Sequence, residues 1–124
     1  MVERRDITDE EREALHRFLR LEILLEELLP ALHGMVEIEF LPTQRRSTSL
    51  FNLVEPPLQV VKAHIENALE KRRSGKISER DIVRWSTFIL LDDAYVWEGP
   101  DEDEIGDALN DLSFGNFDLY QTNR

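Results

Sequence analysis

From Ile82 to Leu91 the chain reads Ile-Val-Arg-Trp-Ser-Thr-Phe-Ile-Leu-Leu, and a helix of that composition belongs in an interior. Ile82, Trp85 and Ile89 share one face, and Val83, Phe88, Leu90 and Leu91 broaden it. A helix apolar on most sides must be covered by other elements. The chain is therefore expected to form a compact bundle around this segment, with Trp85 inside. Ser78 opens the helix as N-cap, and Asp81 three residues on makes a shortened capping box. The length of 124 residues leaves room for one core, so residues 1–124 are expected to be a single domain. About two-thirds of the unfolded surface is buried at this size, enough to fold without a disulfide or structural metal.

Three further helices are expected to cover it. Thr8 and Glu11 form a capping box, with Asp9, Glu10 and Glu11 at the positive end of the helix dipole. Leu15, Phe18, Leu19, Ile23 and Leu28 then recur at helical spacing in a stripe that widens at Leu24, Leu25 and Leu29, with Pro30 or Gly34 as terminator. A second helix is expected from Pro56-Pro57, burying Leu58, Val61, Ile65, Ala68 and Leu69 and stopping at Ser74-Gly75. The last follows Gly99-Pro100, with Ile105, Ala108, Leu109 and Leu112 inward, and ends at Gly115. Asp92 to Glu98 reads either as helix end or as a short extended segment.

One stretch follows a different period. Val36, Ile38 and Phe40 alternate with Glu37 and Glu39, which is strand spacing. Leu50 to Val54 is the expected return strand, across a polar loop with Arg45 and Arg46 at its tip. The fold class is thus mainly α: about four helices with a small two-stranded β insertion near residues 35–54. The alternative is α+β.

Charge is segregated along the chain. Between Asp92 and Asp118 stand ten carboxylates and no Lys or Arg, whereas Lys71 to Arg84 carries six basic residues against Glu79 and Asp81. The net charge of −11 opposes approach to phosphate backbones, so nucleic acid is not an expected partner. No apolar run reaches the ~18 residues of a membrane span, and Met1 to Asp6 is not a secretion signal, so no membrane partner and a cytoplasmic location are expected. Cysteine is absent, which excludes thiol nucleophiles and thiolate metal sites.

No catalytic constellation emerges from spacing. His16, His33 and His64 lie in different elements without metal-ligand spacing, and there is no phosphate loop or nucleophile elbow. Asp101-Glu102-Asp103-Glu104 lacks the alternating ligands and central Gly of a calcium loop, and acids at a helix N-terminus are favoured in any case. No cofactor, metal or catalytic residue is assigned. The remaining signal is the acidic zone itself. Asp101, Glu104, Asp107 and Asp111 fall on one outward stripe of the last helix. Tyr95, Trp97, Phe114 and Phe117 lie within the zone and serve equally as core residues or as interface anchors.

The run Gly75-Lys76-Ile77-Ser78-Glu79-Arg80-Asp81-Ile82-Val83-Arg84-Trp85, with a helix before it and an acidic helix after it, resembles a layout in small bacterial proteins of the colicin-D-type immunity kind. The resemblance covers roughly Leu58 to Leu112 and rests on the turn, Trp85 and the acidity. It implies a protein that covers a toxin's active site, with the acidic zone standing in for nucleic acid. The expected function is a non-enzymatic protein-binding domain that docks a basic partner through Asp101, Glu104, Asp107, Asp111 and Trp97, with an immunity-like inhibitor as its sharpest form. The alternatives are a small enzyme or metal-dependent protein whose site assembles in space, and a structural subunit of a larger assembly.

Overall fold

A computed structural model describes residues 4–41 and 44–117. Among them the order is α1 (Asp9–Leu19), α2 (Leu25–Ala31), β1 (Val36–Leu41), β2 (Gln44–Ser49), β3 (Leu58–Gln59), α3 (Lys62–Arg73), α4 (Glu79–Leu91), β4 (Tyr95–Val96) and α5 (Glu102–Ser113). The architecture is helical with a two-stranded antiparallel hairpin, and α4 is its centre: Ile82, Trp85, Phe88 and Ile89 are wholly buried. Trp85 donates from Nε1 to the carbonyls of Phe18 (3.1 Å) and Leu19 (3.3 Å), which ties α4 to the last turn of α1. The Phe18 ring meets Phe88 edge-on at 5.3 Å.

The expected first helix is two helices. Leu21 adopts φ 57°, a left-handed conformation that glycine ordinarily supplies at a helix end. Its N–H bonds Phe18 O (2.9 Å) while that of Glu22 bonds Arg17 O (2.8 Å), the paired bonds of a Schellman stop. The turn buries Leu21 and Ile23, which offsets the cost of a leucine in that conformation. Glu27 then accepts from Leu24 N–H at 2.9 Å and starts α2. Pro30 lies inside α2 rather than ending it. The widening of the leucine stripe is therefore two narrow stripes on two axes, and the helix count is five among the described residues.

The period-2 reading of Val36 to Phe40 matches β1, with Glu37 and Glu39 exposed. Its partner is not Leu50 to Val54 but the polar run Gln44–Ser49, in a register from Val36 opposite Ser49 to Leu41 opposite Gln44. Arg45 and Arg46 accordingly sit within β2, not at a loop tip. A single hairpin has one face to bury. β1 supplies its apolar side chains, while β2 contributes half-buried Arg45, Ser47 and Ser49. Arg45 reaches Thr87 Oγ1 (3.3 Å) and Ser113 O (3.1 Å) and lies 4.2 Å over the Phe114 ring, fixing the hairpin to α4 and α5. Arg46 pairs across the strands with Glu39 at 2.6 Å. Leu50 to Val54 turns away, burying Phe51 and Val54 and leaving Leu53 65% exposed.

The second expected helix also starts late. Leu58 is in β3, whose parallel pairing to β4 uses Leu58 N–H to Ala94 O and Val60 N–H to Val96 O, both 2.7 Å. Val61 is the N-cap of α3 and is exposed, not inward, and His64 Nδ1 accepts its N–H at 3.0 Å. Gln59 donates to Glu98 O (2.9 Å) and Tyr95 Oη to Leu15 O (2.8 Å), so residues 94–98 are held at four points. Asp92 to Glu98 thus resolves as a short extended segment.

These connections set direction. Since β3 and β4 run parallel, the chain leaves α4 level with the start of α3, and α4 is antiparallel to α3. Lys62 meets Glu104 at 3.2 Å and Arg72 covers the Phe117 ring at 4.5 Å, so α5 runs alongside α3 in the same sense. The basic turn of 71–84 therefore lies at one end of the three-helix layer and residues 92–104 at the other. No helix among the described residues is long and apolar enough to cross a membrane.

Candidate functional site

α5 forms because Ile105, Ala108, Leu109 and Leu112 make one apolar stripe against α4, and that stripe aims the acids outward. Asp101, Glu104 and Asp107 are exposed and Asp111 is half-buried, so these four sequence-predicted residues share one side of the helix. Asp101 stands at the N-cap position without a side-chain capping bond. Glu104 pairs with Lys62 at 3.2 Å. Trp97 is half-buried across the middle of α5, where a Cβ on Gly106 would lie 3.1 Å from its Nε1. Glycine at 106 is what lets the indole lie against the helix. Two of the other aromatics belong to the core, Tyr95 and Phe117, whereas Phe114 is 69% exposed beneath Arg45.

Three residues of the basic run are engaged elsewhere. Arg72 pairs with Glu79 at 2.7 Å, Arg73 with Glu70, and Arg84 lies 5.4 Å from the centre of the Phe40 ring. Exposure is the rule in the acidic zone, where Asp93, Glu98, Asp101, Glu102, Asp103, Glu104 and Asp107 all face solvent. Asp92 is the member of the acidic zone that departs from it. It is only 8% exposed, and its Oδ1 accepts the Ala94 N–H at 2.9 Å to cap the turn after α4. Burial, with Asp93 adding to it, pushes this carboxyl above the ordinary range, against the pull of the Ala94 bond. Asp118 lies outside the described residues.

Asp92 also lines a cleft of about 330 Å³ between the end of α4, the base of the hairpin and the segment 51–54. Spacing does not reveal this cleft, because its walls come from five separate parts of the chain. A second feature is likewise assembled from separate parts of the chain. Glu11, a capping residue from sequence, is 1% exposed and accepts from Arg5 (2.6 and 2.8 Å), Thr8 N–H (3.0 Å) and His33 Nδ1 (2.8 Å). Arg5 chiefly, then His33 and Thr8, hold its carboxyl far below the usual range despite its burial. The arrangement staples the N-terminal segment and the end of α2 to α1. His16 and His64 are half-buried on helix surfaces, and burial pushes His64 down, with Arg20 and His16 adding to it.

Among the described residues no group of three or more His, Asp or Glu side chains is placed to hold a metal ion. Comparison of the chain with protein families, characterised proteins and solved structures gives no match.

Proposed function

We propose that this chain is a non-enzymatic protein-binding domain that docks a basic partner through the outward side of α5. The observation that carries the reading is the alignment of Asp101, Glu104, Asp107 and Asp111 on one side of a helix whose other side is fixed in the core. A helix side rich in carboxylates speeds encounter with a basic protein and helps select its orientation. Trp97, half-buried against Gly106 of the same helix, adds the kind of aromatic area in which interfaces concentrate their energy. An immunity-like inhibitor of a basic toxin is the sharpest form of this proposal. It rests on the turn Gly75 to Ser78, on Trp85 and on the acidity of α5, and the hairpin lies outside that span.

The test replaces Asp107 and Asp111 by Lys, which leaves the Lys62–Glu104 pair in place. Asp107 is exposed in the middle of α5 and Asp111 lies in its last turn, where a cation suits the helix dipole, so the melting curve should hardly move. The wild-type protein, immobilised, should capture a basic host protein whose association slows as salt rises, and the folded variant should associate more slowly with a flatter salt dependence. An unchanged association rate at low salt would leave the α5 face as ordinary solvated surface.

A further inference from the structure

The cleft beside Asp92 lies outside the α5 stripe and has a chemistry of its own. At about 330 Å³ it sits at the small end of the ~300–1,000 Å³ range of ligand sites. Leu15, Phe51, Val54 and Ala94 are buried and form an apolar floor, whereas Leu53 and Asp93 are exposed and mark the rim. Asp92 belongs to the floor. One of its oxygens is committed to the Ala94 N–H, among the described residues no donor meets the other, and the residue lines the cleft. A carboxylate so placed has lost much of its hydration without gaining a cation. Arg4 reaches the rim but donates to Phe51 O at 3.4 Å, leaving two carboxyls against one guanidinium around the opening.

We propose that this cleft binds an unbranched primary ammonium, its methylene chain along the Leu15–Phe51–Val54 floor and its charge at the open oxygen of Asp92. The apolar floor suits the stem and the carboxyl suits the head, the division that long cationic side chains present. The choice of ammonium over guanidinium follows from the same geometry. A guanidinium gains most by engaging both oxygens of a carboxylate, and Asp92 has one to give. An ammonium needs one, and the hydroxyl-bearing Ser47 and Thr48 are among the residues that line the same cleft. The same chemistry arrives either as a lysine side chain on a protein or as a free alkylamine.

The experiment is an amide NMR titration of the full chain, reading Asp93 and Ala94. The probes are n-butylammonium, Nα-acetyl-lysine methylamide, n-propylguanidinium and the neutral Nα-acetyl-norleucine methylamide. Both ammonium probes should shift these amides saturably. The norleucine and guanidinium probes should bind about tenfold more weakly or worse, the scale of one lost charge-assisted hydrogen bond. Tighter binding of the lysine amide than of butylammonium identifies a protein lysine as the source, and the reverse identifies a free amine. Asp92→Asn keeps an oxygen for the Ala94 N–H and should lose the ammonium preference. Equal binding of the norleucine amide, or no saturable shift with either ammonium, overturns the proposal on the wild-type protein alone. Asp107→Lys/Asp111→Lys should bind butylammonium as the wild type does, so failure of the α5 reading and failure of this one are separate results.

Discussion

Replacing Trp85 by alanine removes the largest fully buried side chain of the core. Large-to-small changes at such sites cost about 3–5 kcal/mol through lost transfer energy and the cavity left behind. The position sets where in that range the loss falls. Trp85 lies under α1 on a helix packed by α2, α3 and α5 as well, so no single element can move in to fill the space. The upper half of the range is expected. Trp85→Phe separates the two contributions, because it keeps a ring in place while deleting the Nε1 donor. Phe18 O retains the Leu21 N–H at 2.9 Å, so the deletion should cost near the low end of the ~1–3 kcal/mol for an unmet buried group. With the smaller ring added, about 2 kcal/mol is expected. Urea melts followed by circular dichroism measure both, and Trp97 remains as an independent fluorescence probe. An alanine variant that loses less than about 1 kcal/mol, the scale of a surface change, would show that Trp85 is not packed as described. A phenylalanine variant as unstable as the alanine one would show that the polar bond, not volume, dominates.

Two further outcomes follow from other parts of the structure. The Glu11 carboxyl is depressed in the folded chain, so the unfolded chain binds more protons in acid. Its contribution is complete above the ordinary carboxylate range and is lost as pH falls through and below it. Glu11→Gln should cost about 2 kcal/mol near neutrality, its melts should converge on the wild type toward about pH 3, and a gap constant with pH would refute the network. In Gly106→Ala the new methyl would press on the Trp97 indole edge at 3.1 Å while helix propensity improves by up to ~1 kcal/mol. Stability should therefore change little while the Trp97 indole N–H resonance moves, and an unmoved resonance would show that the ring does not lie on α5.

The sequence made α4 and α5 legible because each carries its own signals, a cap at Ser78 or a break at Gly99-Pro100 and an apolar stripe at helical spacing. β1 was legible for the same reason at period 2. Misreadings arose where tertiary contacts overrode a local signal. Leu21 takes a left-handed turn with no glycine to announce it, since burial of Leu21 and Ile23 offsets the strain. β2 holds no apolar alternation because its inward positions are filled by Arg45 and serines. Leu58 left the helix because Ala94 and Val96 offered backbone partners more than thirty residues away. The α5 acids could be placed from spacing alone, being on one element. The Asp92 cleft could not, since no periodicity links Leu15, Val36, Phe51 and Asp92.

The four-point hold on residues 94–98 has a mechanical meaning. Closing β3 onto β4 across the intervening helices costs roughly 3 kcal/mol of chain entropy, more than two backbone bonds return at about 1 kcal/mol each. The pairing persists because α3 and α4 are already docked, and pulling on this segment works against the whole helical layer rather than against a loop. Trp97 is therefore carried on a stiff mount. A partner seated against its indole would find the ring already in place, and would forfeit little of its contact energy to ordering the surface it meets.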